Sequence, residues 1–120
     1  MRVLIVANHE GTRRNLQSSL SERGIDVCMV NNGREAHQLA QGGQFDAIVS
    51  DVMLPQVDGV RMARDLWRAG CRTPVILMSW MTERVSRGKQ RGFGKAVSCV
   101  ISKSVDPVQL AVSLAIMGRA

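Results

Sequence analysis

Five short apolar runs alternate along this chain with longer segments whose apolar residues recur every three or four positions. The runs, at 2–7, 25–30, 47–49, 73–78 and 96–101, are rich in Val and Ile and have the length of buried strands. The segments between most of them have the spacing of amphipathic helices. This strict alternation of strand and helix predicts an α/β fold, in which a parallel sheet is covered by helices on both faces.

Two of the predicted helices have clear ends. The first spans 12–23, with Leu16 and Leu20 on its apolar face and Gly24 as the stop signal. The second begins at Asn32, an N-cap residue that is followed three positions later by Glu35, as in a capping box. Its apolar positions are Ala36, Leu39 and Ala40, and it stops at Gly42 and Gly43.

The later helices differ in strength. A third begins at Asp58, and a last one follows the N-cap pair Asp106 and Pro107. Between residues 80 and 96 we expect only a short or frayed fourth helix, because each glycine there costs a helix interior about 1 kcal/mol relative to alanine. The expected apolar positions are Met62, Ala63, Leu66 and Trp67 in the third helix and Val108, Leu110, Ala111, Leu114 and Met117 in the last.

Length and composition limit the class of protein. A length of 120 residues predicts a single globular domain, here 1–120. The composition, with 45% hydrophobic and 22% charged residues, excludes intrinsic disorder. The apolar opening segment is too short for a signal peptide, and no run approaches the length of a membrane span. Cys28, Cys71 and Cys99 show no paired spacing, which favours a reducing, cytoplasmic location over disulfides or zinc.

The formal net charge of +6 comes mostly from arginine. It predicts attraction to an acidic protein surface or to phosphate groups, and it gives no information about the fold. Aromatic residues make up only 3% of the chain and Tyr is absent, which disfavours a stacking platform for single-stranded nucleic acid.

Three residues with candidate chemistry fall at strand ends. Asp51 follows the third strand, Ser79 follows the fourth and Lys103 follows the fifth. The ends of parallel strands share one edge of the sheet, so a carboxylate, a hydroxyl and an ammonium are expected to converge there. Such a set suits phosphoryl chemistry, with Asp as nucleophile and the other two groups binding phosphoryl oxygens. For an isolated Asp, a simple turn-forming role would be the better interpretation, and Ser79 or Lys103 alone is a weak signal.

The sequence resembles the receiver domain of two-component response regulators. The resemblance is carried by Lys103, by the runs 3–6 and 74–79, and by the segment 51–55 with Asp58-Gly59. The resemblance covers essentially the whole chain. It implies a flavodoxin-like, doubly wound (βα)5 fold with a five-stranded parallel sheet in the order 2-1-3-4-5. It also implies that Asp51 accepts a phosphoryl group from a sensor histidine kinase or a phosphotransfer protein, with Ser79 and Lys103 assisting. Met53 would offer a backbone carbonyl to Mg²⁺.

The chain departs from that family where active receivers carry an acidic pair after the first strand. Ala7 and Asn8 occupy those positions, and Glu10 comes two positions too late. Mg²⁺ is usually held by carboxylates, waters and substrate phosphate, and here Asn8 offers only a neutral oxygen beside Asp51. We therefore expect Mg²⁺ binding to be weak or absent and phosphorylation to be slow or absent.

Three further positions also depart from the family pattern. Trp80 stands where the family usually has a small residue after the hydroxyl position. Its ring would either cover Asp51 or turn outward as an anchor for a docking partner. Val100 stands where receivers often keep a Tyr or Phe that moves on activation. Ser104 replaces the proline after Lys103, and we predict a trans bond there because a cis bond before a non-proline residue costs about 2.5–4 kcal/mol.

The segment 83–96 is the expected partner surface. In this family the region from the fourth strand to the fifth helix generally binds the output partner, either an output domain or, for this basic chain, an acidic protein. A solvated charged loop is the competing interpretation. The residues expected to bind the partner are Trp80, Arg84, Arg87, Lys89, Arg91 and Lys95.

Several functional hypotheses remain open at this level. The first is an atypical receiver that acts mainly through protein–protein interaction rather than as an enzyme, and the second is a fully competent Asp51 phosphoacceptor. A basic module that binds nucleic acid through Arg84–Lys95 is disfavoured, and a membrane partner is not expected. A metal-dependent phosphatase is weaker still, because Met53 stands where a second Asp is common in such nucleophile motifs.

Overall fold

Within the residues that the computed structural model describes (1–79, 94–102, 106, 109, 110 and 114), five strands form one parallel sheet. Their order is β2-β1-β3-β4-β5, which confirms the predicted doubly wound fold. The three interior strands, β1, β3 and β4, each pair in parallel on both sides. The strands are β1 (Arg2–Val6), β2 (Asp26–Val30), β3 (Ala47–Asp51), β4 (Val75–Ser79) and β5 (Cys99–Ser102).

Three complete helices connect the first four strands: α1 (Glu10–Ser21), α2 (Gly33–Ala40) and α3 (Gly59–Arg68). A short 3-10 turn, Gly94–Ala96, precedes β5, and residues 109, 110 and 114 are helical. α1 begins two residues earlier than predicted, because Nδ1 of His9 accepts the backbone N–H of Thr12 and caps the helix. The turn that follows α1 ends at Gly24, whose φ of 75° suits glycine.

Two apolar layers hold the sheet between the helices. On one face, alternate strand residues pack against α2 and α3; on the other, they pack against α1 and against Leu110 and Leu114 of the last helix. The fully buried side chains of Leu4 and Ile5 illustrate the alternation, since one faces each layer. Among the described residues, no helix has the length and apolar character needed to cross a bilayer.

Several boundaries and faces differ from the sequence expectations. β5 begins at Cys99 instead of residue 96, because a 3-10 turn occupies 94–96. Leu39 is 39% exposed, since the buried row of α2 is made of Gly33, Ala36 and Ala40. Trp67 lies at the flank of α3 and is only partly buried. The fourth helix and positions 108, 111 and 117 of the last helix lie outside the described residues.

The N-cap of α2 generates a stability prediction. Oδ1 of Asn32 accepts the backbone N–H of Glu35 at 2.8 Å, which confirms the predicted cap. Asn32→Ala should lower the free energy of unfolding by about 1 kcal/mol in urea titrations, because a helical N–H loses its partner. Asn32→Asp keeps an acceptor at the same place and should be close to neutral. Equal losses in both variants would contradict the assigned role of the cap.

Candidate functional site

The Asp51 carboxylate lies at the carboxyl edge of the sheet. Asp51 is the last residue of β3 and is only 1% exposed. Its Oδ2 accepts the backbone N–H of Asn8, which follows β1, at 3.2 Å. The loop after β1 therefore helps to hold the carboxylate at the end of β3. In open parallel sheets, ligands collect at this edge.

Two neighbouring residues fix the backbone of Asp51. Ser50 is fully buried, and its hydroxyl donates a hydrogen bond to the carbonyl oxygen of Asp51 at 2.8 Å. Gly59, the first residue of α3, packs so closely that a Cβ there would overlap the same carbonyl oxygen. The N–H of Gly59 donates to the carbonyl of Val52 at 2.8 Å and closes the loop between β3 and α3. These contacts require a small polar residue before Asp51 and glycine at the start of the helix.

The loop that follows Asp51 has a strained turn. Gln56 has a φ of 71°, and the N–H of Val57 donates across it to the carbonyl of Pro55 at 2.8 Å, which makes a γ-turn. A Cβ on Gly33 of α2 would overlap the carbonyl of Val57, so the loop also packs tightly against that helix. Met53 projects from the loop with 79% of its surface exposed. A non-glycine residue in the left-handed region costs energy and is found most often at functional sites.

The register of the sheet brings the other predicted site positions to the same edge. Asp51 pairs with Met78 of β4, so Ser79 lies one residue further along the neighbouring strand. Ser79 is 9% exposed and pairs with Ser102, the residue before Lys103 in the sequence. Lys103 and the predicted trans bond to Ser104 lie outside the described residues.

The residues beside Asp51 contribute little further acidity. Ala7 is fully buried in the apolar layer against α1, and Asn8 is exposed. Glu10 is on the first turn of α1 and forms a 2.6 Å ion pair with Arg14, with both side chains more than 70% exposed. Across the described stretches, no three His, Cys, Asp or Glu residues lie close enough together to hold a metal ion.

The predicted partner surface is seen only at its end. Lys95 is exposed on the 3-10 turn before β5. Val100 is half-buried in β5 and packs against the apolar layer that faces α2 and α3. The structure does not describe Trp80, Arg84, Arg87, Lys89 and Arg91.

Comparison with known families assigns the chain to one family. The model of the response regulator receiver domain matches residues 3–115 of the chain. This chain belongs to the response regulator receiver domains. Receiver domains are signalling domains of two-component systems, so the family-level function predicted from the sequence is confirmed.

The relatives of this receiver domain are mostly longer proteins. It is 40% identical over 78 residues to the transcriptional regulatory protein PcoR of Escherichia coli, covering 65% of this chain and 34% of PcoR. It is 31% identical over 105 residues to the transcriptional regulatory protein SrrA of Staphylococcus aureus, covering 88% of this chain and 42% of SrrA. The receiver domain thus spans between a third and a half of the length of these curated relatives.

A solved structure confirms the fold over the full length. The receiver domain of the sensor histidine kinase PA1611 from Pseudomonas aeruginosa PAO1 superposes with a TM-score of 0.86 at 24% identity, covering 99% of this chain and 98% of that chain. That structure has a magnesium ion coordinated in its active site cleft. At this identity, the likeness establishes the shared fold.

Sequence reasoning missed the two residues that fix the Asp51 backbone. The sequence marks Gly59 only as part of the Asp58-Gly59 pair at the start of the third helix, whereas its role is the close approach of α3 to the Asp51 carbonyl. Ser50 carried a usable signal, because it is a polar residue in an otherwise apolar strand that is buried on both faces. A polar side chain in such a place needs a hydrogen-bond partner, and here the partner is the next residue.

The close approach of Gly59 predicts a local packing cost. Gly59→Ala should destabilise the domain by about 1–3 kcal/mol in urea unfolding, because the new methyl group meets backbone atoms that cannot move aside cheaply. Gly11→Ala is the comparison variant and should cost less, since its Cβ would meet only the side chain of the cap residue His9, at 3.0 and 3.3 Å, which can shift by a few tenths of an ångström, and alanine favours the helix. A Gly59→Ala protein as stable as the wild type would show that the packing around Asp51 is looser than described.

Proposed function

We propose that this receiver domain is atypical: Asp51 keeps the phosphoacceptor position, but the Mg²⁺ site is impaired and the domain works mainly through protein–protein interaction. One observation carries the proposal. At the edge where Asp51 lies, the two positions after β1 hold a buried apolar side chain, Ala7, and a neutral amide, Asn8.

The donor set argues against a firmly bound Mg²⁺. This ion prefers near-octahedral oxygen coordination and is usually bound through one or two carboxylates, waters and substrate phosphate. Asp51 supplies one carboxylate, Asn8 and the Met53 carbonyl supply only neutral oxygens, and Glu10 is engaged with Arg14 on the surface of α1. Rescue of the metal site by Glu10 is therefore not supported.

A weak metal site would limit the chemistry at Asp51. Phosphoryl transfer has little covalent chemistry for the protein to do, so the cations that neutralise the transferring group carry much of the catalysis. Lys103, at the position of the cationic partner, would then have to act without the usual divalent charge. We infer that acceptance of phosphate from a histidine kinase or a phosphotransfer protein is slow or absent.

Interaction with a protein partner remains as the main activity. The relatives that match this domain extend well beyond it, which is consistent with coupling to an output domain in the whole protein. The predicted partner surface comprises Trp80 and the basic residues from Arg84 to Lys95. A basic surface of this kind suits an acidic protein face.

A competent phosphoacceptor is the second candidate. Three features of the phosphoacceptor site favour it: Asp51 is buried, its carboxylate accepts the backbone N–H of Asn8, and Ser79 lies at the end of the neighbouring strand. The two candidates differ in a measurable way, namely whether a phosphoryl group accumulates on Asp51.

The test is intact-mass analysis after incubation with acetyl phosphate and Mg²⁺. The wild type should gain little or no labile phosphate. Asn8→Asp should gain much more, because a second carboxylate beside Asp51 is expected to strengthen Mg²⁺ binding by at least about tenfold.

Two controls complete the experiment. Combining Asn8→Asp with Asp51→Ala should abolish the adduct, and Asn8→Ala should behave like the wild type. A wild-type protein that is fully phosphorylated in Mg²⁺, with the adduct lost in Asp51→Ala, would select the competent phosphoacceptor instead.

A further inference from the structure

The outer face of α3 carries a row of arginines that the phosphoacceptor site does not use. Arg61, Arg64 and Arg68 are exposed, whereas Gly59, Met62, Ala63 and Leu66 are buried. At 3.6 residues per turn, the three arginines fall within an arc of about 60° that is centred opposite the buried face. They project directly into solvent along about 10 Å of the helix axis. We call Arg61, Arg64 and Arg68 the α3 arginine row.

This row works against the stability of its own helix. Arg61 and Arg64 are three residues apart, and Arg64 and Arg68 are four apart, so like charges are neighbours on the helix surface. Arg61 also lies in the first turn, which contains no acidic residue and where a positive charge opposes the helix dipole. Its contact with Asp65 is a long 3.9 Å pair with 70% of the Arg61 side chain exposed. Arg68 lies in the last turn, where a positive charge is favourable, so helix stabilisation accounts for Arg68 but does not explain Arg61.

The surroundings of the row favour a polypeptide over nucleic acid. Val60 and Trp67, both partly buried, lie along one flank and add apolar surface. The guanidinium of Arg72 covers the Trp67 ring at 3.7 Å and donates to the Trp67 carbonyl at 2.8 Å, so this ring is not offered for base stacking. Trp and Arg side by side are also the residue types that dominate protein–protein interfaces.

We infer that the α3 arginine row docks an acidic amphipathic helix of a protein partner. Carboxylates spaced three and four residues apart on that helix would face the three guanidinium groups, which suit carboxylate geometry. An apolar residue beside them would lie on Val60, and the Arg72 guanidinium that covers the Trp67 ring would add a further cation on that flank. The row faces away from the buried side of α3, whose Gly59 packs against the Asp51 carbonyl, so we expect the docking not to depend on phosphorylation.

The test uses a fluorescein-labelled peptide of about 16 residues, long enough to form a helix in isolation, with glutamates on one face and leucines beside them. Fluorescence anisotropy should show binding to the wild-type domain that weakens as salt is raised. Arg61→Glu with Arg68→Glu should raise the Kd about tenfold, since two ion pairs become repulsive contacts. Asp51→Ala should bind as the wild type does.

Matched controls make the experiment decisive. Arg14→Glu with Arg23→Glu makes the same change of net charge on α1 and in the turn that follows it, and should shift the Kd less than twofold. A scrambled peptide of the same composition should bind more weakly. Circular dichroism and urea midpoints verify that both variants are folded. The inference would be overturned if the peptide did not bind, if the two double variants lost the same affinity, or if the scrambled peptide bound equally well. Tighter binding of a DNA duplex that is lost with the α3 variant would assign the row to nucleic acid and overturn it as well.

Discussion

Burial of a carboxylate at the end of a central strand is the constraint on which the rest of this structure depends. A charged group removed from water is costly unless nearby groups donate to it or neutralise it. For Asp51, the loop after β1 supplies a backbone N–H, and tight packing at Ser50 and Gly59 fixes the peptide that carries the side chain. The edge of the sheet is thus arranged to hold one negative charge in a defined place.

The chemistry of this edge follows from what surrounds that charge. In a receiver domain, the metal ion that neutralises the transferring phosphoryl group depends on acidic neighbours. At the two positions after β1, where the family resemblance places those neighbours, this chain has an apolar residue that is packed into the core and an amide. The buried Asp51 that would accept a phosphoryl group and the metal site that would promote the transfer are therefore separable. The proposed function rests on Asp51 having been kept and the metal site having been lost.

Much of the fold was predictable because local signals and tertiary structure agree. The alternation of apolar runs and amphipathic segments gave the parallel sheet, and the cap at Asn32 was visible from Glu35 three residues later. The start of α1 was wrong by two residues because His9, an uncommon cap, accepts the N–H of Thr12 in the first turn. Leu39 was wrongly expected in the core, since periodicity cannot show that α2 packs through a row of small residues.

The site was less predictable than the fold. Strand ends placed Asp51 and Ser79 correctly at one edge, since in a parallel sheet this follows from topology alone. The closeness of Gly59 to the Asp51 carbonyl depends on how α3 docks, and no spacing in the sequence reveals it. The arginines of α3 were visible in the sequence, but their significance required knowing which face of that helix is buried.

The most direct measurement of the central claim is a calorimetric titration of the wild-type domain with Mg²⁺, with Asp51→Ala as the reference protein. We expect no saturable heat up to millimolar concentrations and no difference between the two proteins, because one carboxylate with neutral neighbours holds this ion poorly. Saturable binding that disappears in Asp51→Ala, together with an octahedral ion on Asp51 in crystals grown with magnesium, would contradict the account.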